Sequence, residues 1–238
     1  MSSHMKRLNA PRTLRLHRKE KTWTIRASPG PHKITESIPL GLIIRDYLGM
    51  CDTLREAKHI LNNNEVYVDG VMRKDYKFPV GLMDIVTIPK GKKQFRMIFD
   101  QRGKLTLVPI SSADAEWKLR RIEKKTTLPG KKTQLNFHDG FCLIVEKDEY
   151  HSGDVLRIGF QDKKINEVYP RTKGTVALIT GGSHIGELAT IDEVEIIASS
   201  KSNLALMKGA NSFTTLEEYV FPVGKTKPVI TLPEVRTQ

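Results

Sequence analysis

The sequence predicts an α+β chain of several small domains in series, and three observations carry that reading. At 238 residues it exceeds one average domain of ~100–200 residues, yet leaves little room for a large catalytic core with accessories. Helix signals followed by hairpin signals occupy residues 39–90, and short strands separated by turns fill the chain beyond 93. Charge divides in a similar way. Residues 1–33 hold nine Lys/Arg against one acid, a net of +8; residues 34–132 carry +7 and residues 133–238 carry −3, within a total of +12. A basic excess confined to one half points to a polyanion docked on that half, nucleic acid being the commonest.

Residues 1–38 read as a basic extended tail. Lys6, Arg7, Arg12, Arg15, Arg18, Lys19, Lys21, Arg26 and Lys33 recur every few positions, while Pro11, Pro29 and Pro31 block long regular structure. A segment so charged buries too little apolar surface to offset its ordering entropy, so the expectation is a disordered tail that orders on its partner. Trp23 could stack on a base or pack on the next domain. Ser2-Ser3-His4-Met5 resembles the remnant of an expression tag.

Residues 39–92 form the next unit. Pro39 opens a helix from Leu40 to Leu48 that ends near Gly49. Thr53 and Glu56 form a capping box for a second helix, whose Leu54, Ala57, Ile60 and Leu61 fall on one buried face. Arg55 and Lys58, three apart, point outward. Asn64 is a candidate left-handed cap. Val66-Tyr67-Val68 alternates as a strand, Asp69-Gly70 is a strong two-residue hairpin signal before Val71-Met72-Arg73, and Ile85–Ile88 is a further strand.

Thr53-x-Arg55-Glu56-Ala57, Val66-x-Val68-Asp69-Gly70 and Gly81-x-x-Asp84-Ile85-Val86 together resemble the small S-four RNA-binding domain. The resemblance implies a basic face made by the second helix and the hairpin, with Arg55, Lys58, Arg73 and Lys74 in contact with RNA. In that family Gly usually stands at the position of Asn64 and Asn at that of Asp69. The ordered set extends outward. Ala10-Pro11, Gly30-Pro31-His32-Lys33, Phe95-Arg96-Met97-Ile98-Phe99-Asp100 and a late Gly-rich segment are similar to the small-subunit ribosomal protein family called S-four-e, of archaeal type.

Residues 93–172 read as a central β-rich domain, with Leu143–Val145 and Val155–Ile158 as core strands and one short helix from Ser112 to Leu119 capped by Ser111 or Ser112. The basic run from Arg120 to Lys132 is either a second phosphate contact or a solvated loop. In residues 173–238, Gly174 to Ile191 places two apolar strands around a loop with three glycines. It resembles a KOW motif, which implies a carboxyl-terminal β-barrel. The loop Gly181–Gly186 could meet RNA, meet protein, or be purely architectural.

Enzyme signals fail on context. His184-Ile185-Gly186-Glu187 is one residue from the HIGH signature of class I aminoacyl-tRNA synthetases, but it lies in a strand-loop-strand near the far end rather than opening a helix. Gly224-Lys225-Thr226 lacks the earlier Gly that a phosphate-binding loop requires. The histidines and the cysteines Cys51 and Cys142 show no ligand spacing, so no metal or cofactor is expected, and the thiol usage suits a reducing cytosol. No run of ~18 apolar residues could span a membrane.

The resemblance therefore implies a cytoplasmic, non-enzymatic constituent of the small ribosomal subunit whose partners are ribosomal RNA and neighbouring ribosomal proteins. The expected RNA contacts are Arg7, Arg12, Arg15, Arg18, Lys21, Arg26, His32, Lys33, Arg55, Lys58, Arg73 and Lys74. An RNA-modifying enzyme with an S-four domain, or a factor that binds the ribosome transiently, is the alternative.

Overall fold

The computed structural model describes residues 3–63, 65–146, 148–199, 201–209 and 211–232. Two compact units emerge. One holds the described residues up to Ile98 together with Lys104–Lys118; the other holds Phe99–Gly103 and the described residues from Leu119 to Leu232.

The first unit begins with β1 (His4–Lys6) antiparallel to β2 (Trp23–Ile25), Lys6 standing opposite Trp23. This corrects the expected disordered tail: the segment folds on its own chain. The reason is that two of its arginines turn inward. Buried Arg7 donates to the carbonyls of His17 (2.8 Å) and Trp23 (3.2 Å). Arg18 donates to the carbonyls of Ala10 (2.7 Å) and Pro11 (2.9 Å), with longer bonds to those of Arg7 and Leu8. A proline-interrupted stretch leaves carbonyls without ladder partners, and a guanidinium's fan of five donors satisfies several at once. Ala10, Leu14, Ile25 and Ala27 are buried in the same segment. His4 and Met5, from the tag-like stretch, are strand residues here.

After β3 (Ser37–Pro39), the first helical segment runs as α1 (Leu40–Leu42) and continues as a wider π-helical turn over Ile43–Tyr47. It gives way at Gly49, whose φ of +60° suits a residue without Cβ. Next comes α2 (Leu54–Asn62). The Thr53 hydroxyl accepts the Glu56 amide (3.3 Å) as expected, but the Glu56 carboxylate reaches back to the Asp52 amide (3.1 Å) and the Thr53 hydroxyl (2.8 Å). Ala57 and Leu61 are its buried face. The expected cap Asn64 lies outside the described residues.

The hairpin follows the sequence expectation. β4 (Tyr67–Val68) and β5 (Val71–Met72) flank Asp69 and Gly70, whose φ values of +52° and +74° are those of a type I′ turn. Then come β6 (Pro79–Gly81), which pairs with β3, and β7 (Ile85–Ile88), β8 (Lys93–Phe99) and β9 (Leu105–Pro109), giving a sheet of order β5-β4-β7-β8-β9. Ile38, Leu40, Ile43, Ile44, Leu61 and Ile85 are fully buried in this unit.

The helix expected over Ser112–Leu119 is a single 3₁₀ turn, Asp114–Glu116, with Ser111 accepting the Asp114 amide (3.3 Å). From Trp117 the chain is already β10 (Trp117–Leu128), because Trp117, Leu119 and Ile122 are buried strand residues. The basic run is therefore neither loop nor wholly solvated: Arg120 is buried against Asp139 (2.7 Å), and Lys125 pairs with Asp148 (2.5 Å). β11 (Lys132–Phe137), β12 (Cys142–Val145), β13 (Val155–Gly159) and β14 (Ile165–Tyr169) complete a sheet of order β12-β11-β10-β13-β14 around Ile122, Leu135, Phe137, Leu156 and Ile158. β13 is the core strand expected, whereas β12 is a half-exposed edge.

The last sheet comprises β15 (Val176–Ile179), β16 (Leu188–Glu195), β17 (Leu204–Lys208), β18 (Ser212–Leu216) and β19 (Val220–Gly224), in the order β18-β17-β16-β15-β19. Its edges β18 and β19 do not pair among the described residues, so the expected barrel is an open antiparallel sheet. Its core is Ala177, Ile179, Ala189, Ile191, Ala205, Met207 and Val220. Taken with the first unit, the fold is multidomain and mostly β with few helices, in keeping with the β-rich central and carboxyl-terminal parts expected, apart from the open last sheet.

The loop Gly181–Gly186 is held by close packing. A Cβ on Gly181 would come within 2.6 Å of the Tyr219 ring, and one on Gly186, at φ +81°, within 2.5 Å of the Asp100 carbonyl oxygen. These contacts account for two of its glycines architecturally. Gly186→Ala should lower unfolding stability by about 1–3 kcal/mol through backbone strain and overlap; urea denaturation of the two proteins measures it.

Candidate nucleic-acid interface

The hairpin and the strand behind it are fixed by a buried ionic cluster. Lys118, its side chain 1 % exposed, bonds Asp69 (2.9 Å) and Asp84, the latter 2 % exposed. Asp84 also accepts His32 Nε2 (2.9 Å) on one oxygen and the Gly81 amide (2.8 Å) on the other. Asp69 accepts the Ile85 amide (2.9 Å) through Oδ1. Two carboxylates thus face one ammonium and one imidazole, with backbone donors on the remaining oxygens, as buried charges require. Burial pushes the Asp84 carboxyl up, but His32 and Lys118 outweigh that and hold it well below the usual carboxylate range. Burial pushes the Asp69 carboxyl up, Asp84 adds to this, and Lys118 opposes it without prevailing.

This cluster explains two sequence features. Asp69, where the resembled domain has Asn, faces a lysine rather than adding an unbalanced charge to the hairpin. His32, expected at the RNA surface, instead has its side chain 5 % exposed and bonded to Asp84. That is a correction. Its Pro-flanked position places the ring over Gly81, where a Cβ would come within 2.3 Å of it.

Outside the cluster the unit is cationic. Arg55, Lys58 and Lys74 are exposed, and Arg73 is half-buried with its guanidinium 4.4 Å from the Phe78 ring centroid. Lys58 Nζ sits 4.4 Å from the Tyr76 ring centroid and Lys77 Nζ 5.5 Å from it. Two ammonium groups therefore converge on one aromatic ring, joining α2 to the segment after the hairpin. Tyr76 and Lys77 were missing from the sequence expectation. Their signal was present, since Arg73-Lys74-Asp75-Tyr76-Lys77 interleaves three cations with an aromatic residue.

In the amino-terminal segment, Arg12, Arg15, Lys21 and Lys33 are exposed and Arg26 is half-buried. The Arg15 amide donates to the Tyr47 hydroxyl (2.9 Å), tying this segment to the first helix, and burial pushes that phenol up to about 12. Arg7 and Arg18 are committed to carbonyls of their own chain. No group of three or more His, Cys, Asp or Glu among the described residues is arranged to hold a metal ion. No helix among them is long and apolar enough to cross a membrane.

A helix pair and hairpin with a cationic outer surface define a small RNA-binding domain of the S4 class, and the S4 domain profile matches residues 46–86. The RS4NT (NUC023) domain matches residues 1–35 and Ribosomal family S4e matches residues 91–165. The chain is 48 % identical over 230 residues to the small ribosomal subunit protein eS4 of Methanosphaera stadtmanae, covering 96 % of this chain and 95 % of that one. It is 44 % identical over 232 residues to the eS4 protein of Methanothermobacter thermautotrophicus, covering 97 % and 96 %. The crystal structure of the 30S ribosomal protein S4e from Thermoplasma acidophilum superimposes with a TM-score of 0.70 at 36 % identity, over 80 % of this chain and 96 % of that one. The chain belongs to the ribosomal S4e family.

The cluster yields a paired prediction. Asp84→Asn removes the carboxylate that Lys118 and His32 share and should cost about 3–5 kcal/mol. Asp69→Asn keeps an acceptor for Ile85 and leaves Lys118 paired with Asp84, so it should change stability by less than about 1 kcal/mol. Because the folded pKa of Asp84 is lowered, its contribution is complete above the ordinary carboxylate pKa of ~3.9 and is lost as pH falls through the folded value. Asp69, raised in the fold, contributes with the opposite sign, its share fading as pH rises. The stability difference between the parent and Asp84→Asn should therefore hold steady above about pH 4 and shrink below it, which denaturation midpoints of the two proteins from pH 7 down to pH 2 measure.

Proposed function

We propose that this chain is a structural constituent of the small ribosomal subunit, binding and stabilising ribosomal RNA for translation beside neighbouring ribosomal proteins in the cytoplasm. Membership of the S4e family, shared with relatives named as small ribosomal subunit proteins along nearly their whole length, is the observation that carries it. The role is that of a binding protein rather than an enzyme, and the chemistry is electrostatic. Phosphate contacts position the protein on folded RNA, and 2′-hydroxyl and shape recognition add to them.

In this reading residues 1–38 and 39–92 are the RNA-binding segments. Arg12, Arg15, Lys21, Lys33, Arg55, Lys58 and Lys74 supply the exposed cations, with Arg26 and Arg73 half-exposed beside them and Tyr76 and Lys77 added. Arg7, Arg18 and His32 shape the surface from within. Residues 93–172 act as a central β-rich spacer. Residues 173–238 act as a KOW-type module on an open sheet, its net negative carboxyl-terminal part turned to protein neighbours or solvent.

About six phosphate contacts to single-stranded regions should give a log–log salt slope of roughly −4, steeper on duplex. Arg55→Ala with Lys58→Ala should weaken binding across RNA sequences and flatten that slope by roughly 1–2. Filter binding over a salt series reads both, and a flat response would sink the electrostatic mechanism. Sedimentation of extract in high-salt gradients tests constitutive membership. A stoichiometric band with the small subunit is expected, and a washed-off or substoichiometric protein would instead indicate a transient factor or modifying enzyme.

A further inference from the structure

We propose that Trp23 is a stacking platform for one unpaired nucleobase, so that the amino-terminal segment holds single-stranded RNA as well as phosphates. The inference rests on the ribosomal RNA reading above and deepens it.

Trp23 is 52 % exposed, although it lies in a paired strand of a folded segment. Neighbouring Thr24 and Ile25 are buried, so the strand is packed and the indole alone is left in water. Its backbone is pinned from beneath, since buried Arg7 donates to the Trp23 carbonyl (3.2 Å). Its ring is held by a T-shaped contact with the His4 imidazole, at 4.8 Å and 84°. An indole oriented in this way offers a preformed flat surface at little entropic cost.

Charge selects the occupant. Lys6 stands directly opposite in the ladder and is exposed, as are Lys19 and Lys21 just upstream. The one acid among residues 1–33, Glu20, lies 3.8 Å from His17. An apolar protein pocket closing over the indole would have to desolvate these ammonium groups, whereas a nucleotide brings a base for the ring and phosphates for the lysines.

The test uses the full chain and its two tryptophans. Trp117 is 4 % exposed, with the Arg96 guanidinium 4.4 Å from its ring centroid, so iodide-quenchable emission reports Trp23. Hexameric oligoadenylate should shield Trp23 from iodide. Trp23→Ala should weaken that binding roughly 10-fold, Trp23→Phe should restore most of it, and neither should alter binding of a duplex RNA or its salt slope. Unchanged oligoadenylate affinity in Trp23→Ala would overturn the proposal. So would equal shielding by an abasic ribose-phosphate hexamer, or shielding in intact subunits without shielding by any oligonucleotide, which would assign Trp23 to a protein neighbour. A parent chain that binds neither RNA would instead overturn the ribosomal RNA reading itself, a distinct result.

Discussion

The ammonium group of Lys118, buried between the carboxylates of Asp69 and Asp84, is the interaction on which the amino-terminal unit of this protein depends. Asp69 occupies the left-handed turn of the hairpin, Asp84 leads into the central strand of the sheet, and His32 brings in the chain that precedes β3. Lys118 and the Asp84 carboxylate it shares with His32 therefore join turn, sheet and incoming segment. A charge so placed is costly to leave unpaired, and this makes the arrangement selective: geometry that separates the partners is penalised more than an apolar core would penalise it.

The same economy of cations governs the surface. Of the basic residues that give the amino-terminal third its charge, some are structural and some outward. Arg7 and Arg18 replace the secondary structure that prolines deny the segment, whereas Arg12, Arg15 and Lys21 remain exposed. A polyanion approaching this surface meets a scaffold already ordered by arginine–carbonyl bonds, so less chain entropy has to be lost on binding than for a disordered tail.

Local chemistry was legible wherever it decided structure locally. The Thr53–Glu56 cap, the Asp69-Gly70 turn and the helix break at Gly49 all follow from residue type and spacing. Charge partition was legible as well: the exposed cations Arg12, Arg15, Lys21, Lys33, Arg55, Lys58 and Lys74 all lie in the half whose net charge is positive. What depends on residues distant in sequence was not legible. Lys118 lay unremarked inside the expected helix and His32 was expected at RNA because nothing near them announces Asp84, and Arg7 and Arg18 were counted as surface charge because their acceptors are backbone carbonyls, which the sequence does not distinguish. The misread helix at Ser112–Leu119 has the same origin, since its cap exists but Trp117 and Leu119 are claimed by a sheet. Sheet closure in the carboxyl-terminal part is likewise a global property that strand patterning cannot fix.

The position of Lys118 along the chain has a consequence for biosynthesis. It follows Asp69 by 49 positions and Asp84 by 34, and between them the chain leaves this unit at Phe99–Gly103 and returns. A nascent polypeptide emerges from its amino end, so both acidic groups are made well before their counter-ion. Until Lys118 arrives, those carboxylates favour a hydrated, open arrangement over the closed one. The helices and hairpin can form early, but the unit locks only when the first residues of the next long strand have been translated. Release of this half into its compact state is thus timed by the start of the following one.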